Sequence, residues 1–557
     1  MKKVAAQKKN VVKKVPHPAG RPGPAKKALR LPDWYLVATA ILILVVSLIR
    51  IRLADVPLER DEGEYAYMGN LILEGLAPYK AAYNMKLPGT YLMYSIILGI
   101  FGNTPEGIHY GLMLFNAGTM LLLFLAVRRL FNPLIAIFTA GGYGMMALSF
   151  TVMGFAAHAT HFATFFCAAG LYFLARFSNG LKSSNAFLAG LAMGLSFLMK
   201  QQAVFFLIFG GIAMLLLLRQ TKQPIKRMIL PSLVYSGGVF LPYLITCGVL
   251  LLAGAFDNFW FWTVQYASKY ASAVSLSDGL TLLERVFKSI WNDMQYFWIL
   301  FFLGLAAIFF SGLSKTQKTL ALLFTLMAFL TVTPGLLFRE HYFIPFLPAV
   351  ALMGGVTLFA ATEIVKRFTR FTWAGIFAVG VLAVIIISML TSQKEYYFNA
   401  SGEIISKSVY GSNPFVESIE IARYIKENSA PADRVAVLGS EPQIYFYSDR
   451  RAATGHIYTY GLMEDQPYNL RMQEEMISEI ERTQPKYLVF CGIQTSWLRR
   501  PQSPSRIFEW YNSYANAYYT LAGLADILPD QTIYKWDDGV LGYQMKGQNS
   551  VFILKRK

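Results

Sequence analysis

A chain of 557 residues in which 55% are hydrophobic, 15% aromatic and only 15% charged is too apolar for a soluble protein, where about 25% of residues carry charge. The mean hydropathy of +0.40 points to a polytopic membrane protein. Three cysteines, Cys167, Cys247 and Cys491, exclude a disulfide framework and a cysteine-rich zinc site. The net charge of +18 would suggest a nucleic-acid partner in a soluble protein, so its position along the chain matters.

Residues 1–33 are rich in Lys and Arg, contain Pro16, Pro18, Pro22 and Pro24, and read as a basic cytoplasmic tail without a packed core. The apolar run that follows is long enough to span, and no small-residue cleavage site comes after it, which argues against a signal peptide. Spanning helices need about 20 apolar residues. Such runs lie at 34–52, 107–127, 133–152, 159–175, 228–253, 292–312, 319–337, 342–362 and 372–391. Lys200-Gln201-Gln202 interrupts the stretch 186–218, which therefore reads as two short helices, each covering only ~20–25 Å of a ~30 Å core. The expected architecture is a polytopic α-helical membrane domain over 34–391 with about eleven transmembrane helices. The run 88–101 follows Pro88-Gly89 and reads as an interfacial or re-entrant helix, not a span, within a first outer loop, 53–106.

The distribution of basic residues orients this topology. With the N-terminus inside, the inside segments hold 23 Lys/Arg against two acids, Asp33 and Glu363. The excess charge therefore records orientation and attraction to anionic lipid, and no nucleic-acid partner is called for. Residues 392–557 lack apolar runs of spanning length. They alternate helical stretches around 415–428 and 471–483 with strand-like runs at 435–438, 487–490 and 551–554, the pattern of a soluble extracytoplasmic α/β domain. No phosphate-binding Gly loop and no internal repeat is present.

The polar residues that need a reason fall on the outer side. Asp61, Glu62 and Glu64 cluster in the first loop, where a buried carboxylate can act as a general base; the same acids also fit a solvated cap. Lys86, before Pro88, can grip a lipid phosphate or snorkel to the headgroups. Lys200, at the tip of two short helices, should face a cavity or an anion. Arg339, in Phe338-Arg339-Glu340-His341-Tyr342, can bind phosphate bidentately or pair with Glu340. His158 and His161 at i, i+3 could share a metal or a polar ligand, but no carboxylate in their own loop completes a set. In the outer loop read at 256–291, Trp260, Trp262, Tyr266 and Tyr270 suit sugar stacking or an interfacial belt.

In their order along the chain these residues resemble the GT-C superfamily of integral-membrane glycosyltransferases, in particular the bacterial branch of lipid A aminoarabinose transferases and relatives of protein O-mannosyltransferases. The resemblance is carried by Asp61-Glu62 followed by Tyr65, by Gly75, Pro78-Tyr79, and Lys86 with Pro88. Further along it is carried by Gly190 to Gly194 leading to Lys200, and by His341-Tyr342 with Pro345 and Pro348. It covers roughly residues 34–391 and implies transfer of a sugar from a polyprenyl-phosphate donor to a lipid, glycan or protein acceptor at the non-cytoplasmic face. It also implies a bacterial inner-membrane location, with the N-terminus cytoplasmic and the C-terminal domain periplasmic or extracellular. By resemblance Asp61 is the base with Glu62 beside it. Lys86, Lys200 and Arg339 receive the donor phosphate. Tyr65, Tyr79, His158, His161, His341 and Tyr342 fall to substrate binding. Two departures stand out. Lys86-Leu87-Pro88 replaces the Lys-Pro-Pro of many relatives. Histidines stand where many carry a second-loop carboxylate, so no metal ligands are assigned and a divalent metal is left open. A transporter or flippase of an amphipathic substrate, or a membrane-anchored receptor, are the other classes such a chain could serve.

Overall fold

The computed structural model describes residues 33–220, 224–272, 274–368 and 374–557; the basic tail other than Asp33 lies outside them. Asp33 caps α1 (Trp34–Arg52) by accepting from the Tyr35 N–H. The chain continues through α2 (Arg60–Leu73), α3 (Gly89–Phe101), α4 (Pro105–Leu130), α5 (Pro133–Met146), α6 (Ala159–Ser178), α7 (Ser183–Met199), α8 (Val204–Gln220) and α9 (Ile225–Leu252). Longer helices follow at Leu276–Phe310, Lys315–Leu330, Leu347–Phe368 and Ala374–Ser392. Among the described residues, all eleven segments read as spans are mainly helical, and seven helices are long and apolar enough to cross a membrane. The others are shorter or more polar; α5 has 14 residues and α7 has 17. The chain is a multi-pass membrane protein.

Two readings can be compared directly with the backbone. The break expected at Lys200 is real: α7 stops at Met199, Lys200 is extended (φ −154°, ψ 129°), and α8 starts at Val204 after one 3-10 turn. The stretch 256–291, read as a loop, is instead largely helical. It forms Phe256–Trp260, a wide turn over Phe261–Tyr266, Ala267–Ala271, and then the first turns of a helix that Ser275 caps and that runs on to Phe310. Its helical positions are amphipathic rather than uniformly apolar, which hides them from a search for spans.

α3 packs on α2 and presents Leu92, Ile96 and Ile100, 49%, 44% and 69% exposed, as an apolar stripe at helical spacing suited to the lipid interface. Gly190 and Gly194 have an ordinary structural use. A Cβ on either would run into the backbone carbonyls of Tyr235 and Val239 on α9, so they allow close helix packing.

Residues after 400 build a six-stranded sheet from β1 (Arg434–Leu438), β2 (Arg451–Ala452), β3 (Tyr487–Gly492), β4 (Tyr519–Ile527), β5 (Thr532–Trp536) and β6 (Asn549–Arg556). The order is β2-β1-β3-β6-β4-β5, with β1 parallel to β2 and β3 and the remaining pairs antiparallel. Helices Glu417–Glu427 and Asn469–Thr483 occupy the expected places. The sheet domain sits directly on the first loop. Arg60 donates to the Ser440 carbonyl (2.5 Å) and to Glu441 (2.7 Å), Tyr447 Oη accepts from the Leu58 N–H (2.9 Å), and Tyr67 Oη accepts from the Ala452 N–H (2.8 Å). A Cβ on Gly63 would lie 2.6 Å from Gln443, so α2 and the 443–448 helix touch backbone to backbone.

Candidate active site

The site starts from the first turn of α2. Glu59 is the N-cap: its carboxylate accepts from the Glu62 N–H and the Glu62 carboxylate returns to the Glu59 N–H, a capping box that fixes where the helix begins. Consecutive residues then diverge, about 100° apart around the axis. Glu62 turns into the protein, fully buried, and accepts from His109 Nε2 (3.0 Å) and the Ala157 N–H (2.6 Å). Asp61 turns to a cavity of about 210 Å³ lined from α2, the 83–86 loop, the Lys200 break, the 334–342 turn and the sheet domain.

Lys86 Nζ bridges Asp61 Oδ1 and Glu64 Oε2, both at 2.7 Å. Glu64 is fully buried and also accepts from Asn84 (2.7 Å) and Tyr91 Oη (2.7 Å). Burial opposes the charge on Lys86, but Asp61 and Glu64 outweigh it and hold the ammonium well above its usual range. Burial would likewise push the Asp61 carboxyl up, but Lys86, His158 and Arg339 outweigh it and hold it below the usual carboxylate range. Tyr458 of the sheet domain also donates to Oδ1 (3.2 Å). Oδ2 has no hydrogen bond among the described residues and is left for an incoming group.

Across the cavity stand two cations with no carboxylate partner among the described residues. Lys200 Nζ lies 3.9 Å above the Tyr342 ring, and Arg339 lies on the next turn of the same wall. The Lys200 break is held against the Lys86 loop by Gln201, which donates to the Met85 carbonyl (2.7 Å), and by Thr90, which donates to the Met199 carbonyl (2.9 Å). Gly89 makes that approach possible, because a Cβ there would lie 2.5 Å from the Leu198 carbonyl oxygen.

His158 and His341 stack with centroids 4.0 Å apart and planes 14° apart. Both are buried, and both nitrogens of His158 and Nδ1 of His341 lack hydrogen-bond partners. Asp61, His158 and His341 each bring one ligand atom within 4.8 Å of the others. These residues could hold a divalent cation, and a two-nitrogen, one-oxygen donor set suits a zinc-like transition ion better than magnesium or calcium.

Of the residues singled out in the sequence, Asp61, Tyr65, Lys86, Lys200, Arg339, His341 and Tyr342 line this one cavity, with His158 stacked behind His341. Of the residues given a role by resemblance, three are elsewhere. Glu62 holds His109. Tyr79 is fully buried and donates to the Lys86 carbonyl (2.5 Å), so it supports the loop from below. His161 is buried without a hydrogen-bond partner and does not reach the cavity. Tyr458, Tyr460 and Glu464, from the sheet domain, line the cavity as well and escaped the sequence reading; the only signal was the Tyr458-Thr459-Tyr460 alternation. Arg50 escaped too: it is buried in α1 and donates to the Ala147 and Gly154 carbonyls (both 2.9 Å), fixing the loop ahead of His158.

The chain is similar in fold to a solved structure, ArnT from Cupriavidus metallidurans bound to undecaprenyl phosphate. It aligns over 94% of this chain and 98% of its own, with a TM-score of 0.58 at 14% identity. The fold is the GT-C fold. The apo form of the same ArnT aligns over the same shares with a TM-score of 0.53 at 14% identity. Residues 86–247 match the sequence model of the dolichyl-phosphate-mannose-protein mannosyltransferases, a stretch that runs from Lys86 through the Lys200 break within the GT-C domain. No curated protein matches the sequence.

Proposed function

We propose that this protein transfers a sugar from a polyprenyl-phosphate carrier to a nucleophilic acceptor at the non-cytoplasmic face of a bacterial inner membrane. The observation that carries the reading is the opposition of Lys200 and Arg339, neither with a carboxylate partner among the described residues, to Asp61 Oδ2 across one small cavity at the break between α7 and α8. An apolar carrier tail dissolves in the bilayer, and its phosphate needs fixed cations that are not already neutralised. Lys86 is held by two carboxylates, so its main part is to set Asp61, while Lys200 and Arg339 receive the phosphate. In the transfer the bond from the sugar carbon to the phosphate oxygen breaks, with both electrons going to the phosphate. The acceptor oxygen or nitrogen bonds to that carbon, and its proton goes to Asp61. Because Lys86 weakens Asp61 as a base, the carboxylate first orients the acceptor and takes the proton late, once the attacking atom has become acidic. Preorganised cations at the leaving group supply the largest share of the stabilisation. Bound at Asp61, His158 and His341, a divalent ion would add Lewis-acid stabilisation of negative charge.

The test is transfer from a synthetic polyprenyl-phosphate sugar by purified, monodisperse variants. Asp61→Ala and Asp61→Asn are expected to abolish transfer, and Lys200→Ala or Arg339→Ala to lower it by roughly 10²–10³-fold. Full activity of both Asp61 variants removes the acceptor role from that residue; full activity of both cation variants removes the phosphate site.

A further inference from the structure

A second, larger cavity opens beside the reaction site. It measures about 980 Å³, at the top of the range of ligand pockets. One wall is aromatic and comes from the helical turns over 256–265, with Trp260 42% exposed. The other wall is one face of helix Asn469–Thr483. Arg471, Glu474, Glu475, Ser478, Glu479 and Arg482 all line it, and their spacing of three and four residues is that of a single helical stripe. Tyr83 and Trp262 line both cavities. Their rings stack at 6.0 Å with planes 16° apart, and Tyr83 Oη donates to Glu479 (3.0 Å). The groove therefore runs up to the chamber that holds Asp61.

We infer that this groove is the acceptor subsite and that it takes a glycan built of neutral or amino sugars; the inference rests on the transferase reading above. Aromatic faces stack on the C–H faces of sugar rings, and carboxylates accept strong hydrogen bonds from hydroxyl and ammonium groups. An acyl chain would bury the charged helix stripe at a large desolvation cost. A polyanion would meet four carboxylates, Asp257, Glu474, Glu475 and Glu479, against two guanidiniums. Part of the wall is already committed: Arg471 donates to Glu475 (2.7 Å), and Glu479 also accepts from Thr454 (2.6 Å) and the Gly455 N–H (2.9 Å). Asp257, Glu474 and Arg482 form no ion pair or side-chain hydrogen bond among the described residues, and together with exposed Trp260 they are the groups free to meet a ligand.

The experiment uses the full-length protein in nanodiscs without donor. Maltohexaose, a chitosan hexamer and a hexamer of galacturonate are titrated by tryptophan fluorescence and saturation-transfer NMR, and undecaprenyl phosphate is titrated in parallel. The neutral or the amino hexamer is expected to bind and the galacturonate hexamer not to. Trp260→Ala and Glu474→Gln, both at exposed positions, are each expected to weaken that binding by about tenfold and to leave undecaprenyl phosphate binding unchanged. Lys200→Ala is expected to do the reverse. Failure of both the neutral and the amino hexamer to bind, equal binding by the two groove variants, or preference for galacturonate overturns the acceptor subsite. Loss of the Lys200 effect on undecaprenyl phosphate instead overturns the transferase reading.

Discussion

Lys200 is the residue on which the site is most exposed to pH. Burial lowers its ammonium to about 7, Lys86 and Arg339 add to the lowering, and Asp61 only partly offsets them. The charged form, which the proposed phosphate-binding role needs, is therefore fully present well below pH 7 and is lost as pH rises through it. Donor affinity, measured as the dissociation constant of undecaprenyl phosphate, is expected to fall about tenfold for each pH unit above the ammonium's value in the free protein, until neutral Lys200 binds as weakly as it can. Lys200→Arg keeps its charge throughout and is expected to flatten the profile. A profile that stays as steep in the arginine variant assigns the titration to another group. Asp61 does not supply such a profile, because its carboxyl is held below the usual range and stays ionised. The stacked histidines make a separate demand. Buried imidazole nitrogens without hydrogen bonds are costly, and a cation shared with Asp61 would satisfy one on each ring; the Glu59 carboxylate stands 3.7 Å from His158 Nδ1, beyond hydrogen-bond reach. Elemental analysis of protein purified without chelator is expected to find one zinc-like ion per chain, and His158→Ala or His341→Ala to lose it.

At the scale of elements, the site depends on two helices that stop where they do. The Glu59–Glu62 box starts α2 so that Asp61 and Glu62 face different sides, about 100° apart, and the end of α7 at Met199 leaves Lys200 in extended backbone beside the Lys86 loop. Both were legible in outline. Lys200 could be found because it interrupts an apolar stretch too long for one span, although the second run, expected to be short, is long enough to cross at Gln201–Gln220, and the acid cluster because charge is rare in such a chain. What stayed hidden was direction. Asp61, Glu62 and Glu64 look equivalent as letters; only the cap, with Ala157 and His109 waiting on the far side, separates the cavity carboxylate from a structural one. Tyr79 looks like a sugar platform and serves as a loop support, because a residue's depth depends on packing that no local pattern encodes. The join between the Lys86 loop and the Lys200 break can be tested at Gly89. Gly89→Val places a branched side chain against the Leu198 carbonyl and is expected to cost about 1–3 kcal/mol of stability, seen as a lower Tm. Donor affinity should fall as well, because Lys86 and Lys200 can no longer keep their spacing.

For the whole molecule, the α/β pattern after residue 391 was readable from its alternating runs, and the three expected strands and two expected helices are all present. That this domain forms a wall of the cavity was not readable. Tyr458 and Tyr460 lie almost 400 residues from Asp61 in sequence, and contacts of that separation leave no periodic signal. The joint between the two parts is Arg60, next to Asp61 itself. Its guanidinium reaches the Ser440 carbonyl, Asn413 Oδ1 (3.0 Å) and fully buried Glu441, and it lies over the Phe415 and Tyr460 rings at 5.2 and 5.3 Å. Truncating it leaves the Glu441 charge buried with only Gln443 beside it, a loss of about 3–5 kcal/mol for broken buried pairs. Arg60→Ala is therefore expected to lower Tm and to open the 392–557 domain to limited proteolysis while the membrane helices stay protected. Transfer should fall as well, because Tyr458 leaves Asp61 Oδ1. Pairing Arg60→Met with Glu441→Gln removes both charges and is expected to recover most of the stability. It would not restore the guanidinium that lies over the Tyr460 ring. If the pair recovers Tm but not transfer, the sheet domain acts through the shape of the cavity wall; if transfer returns in full, the domain contributes only stability.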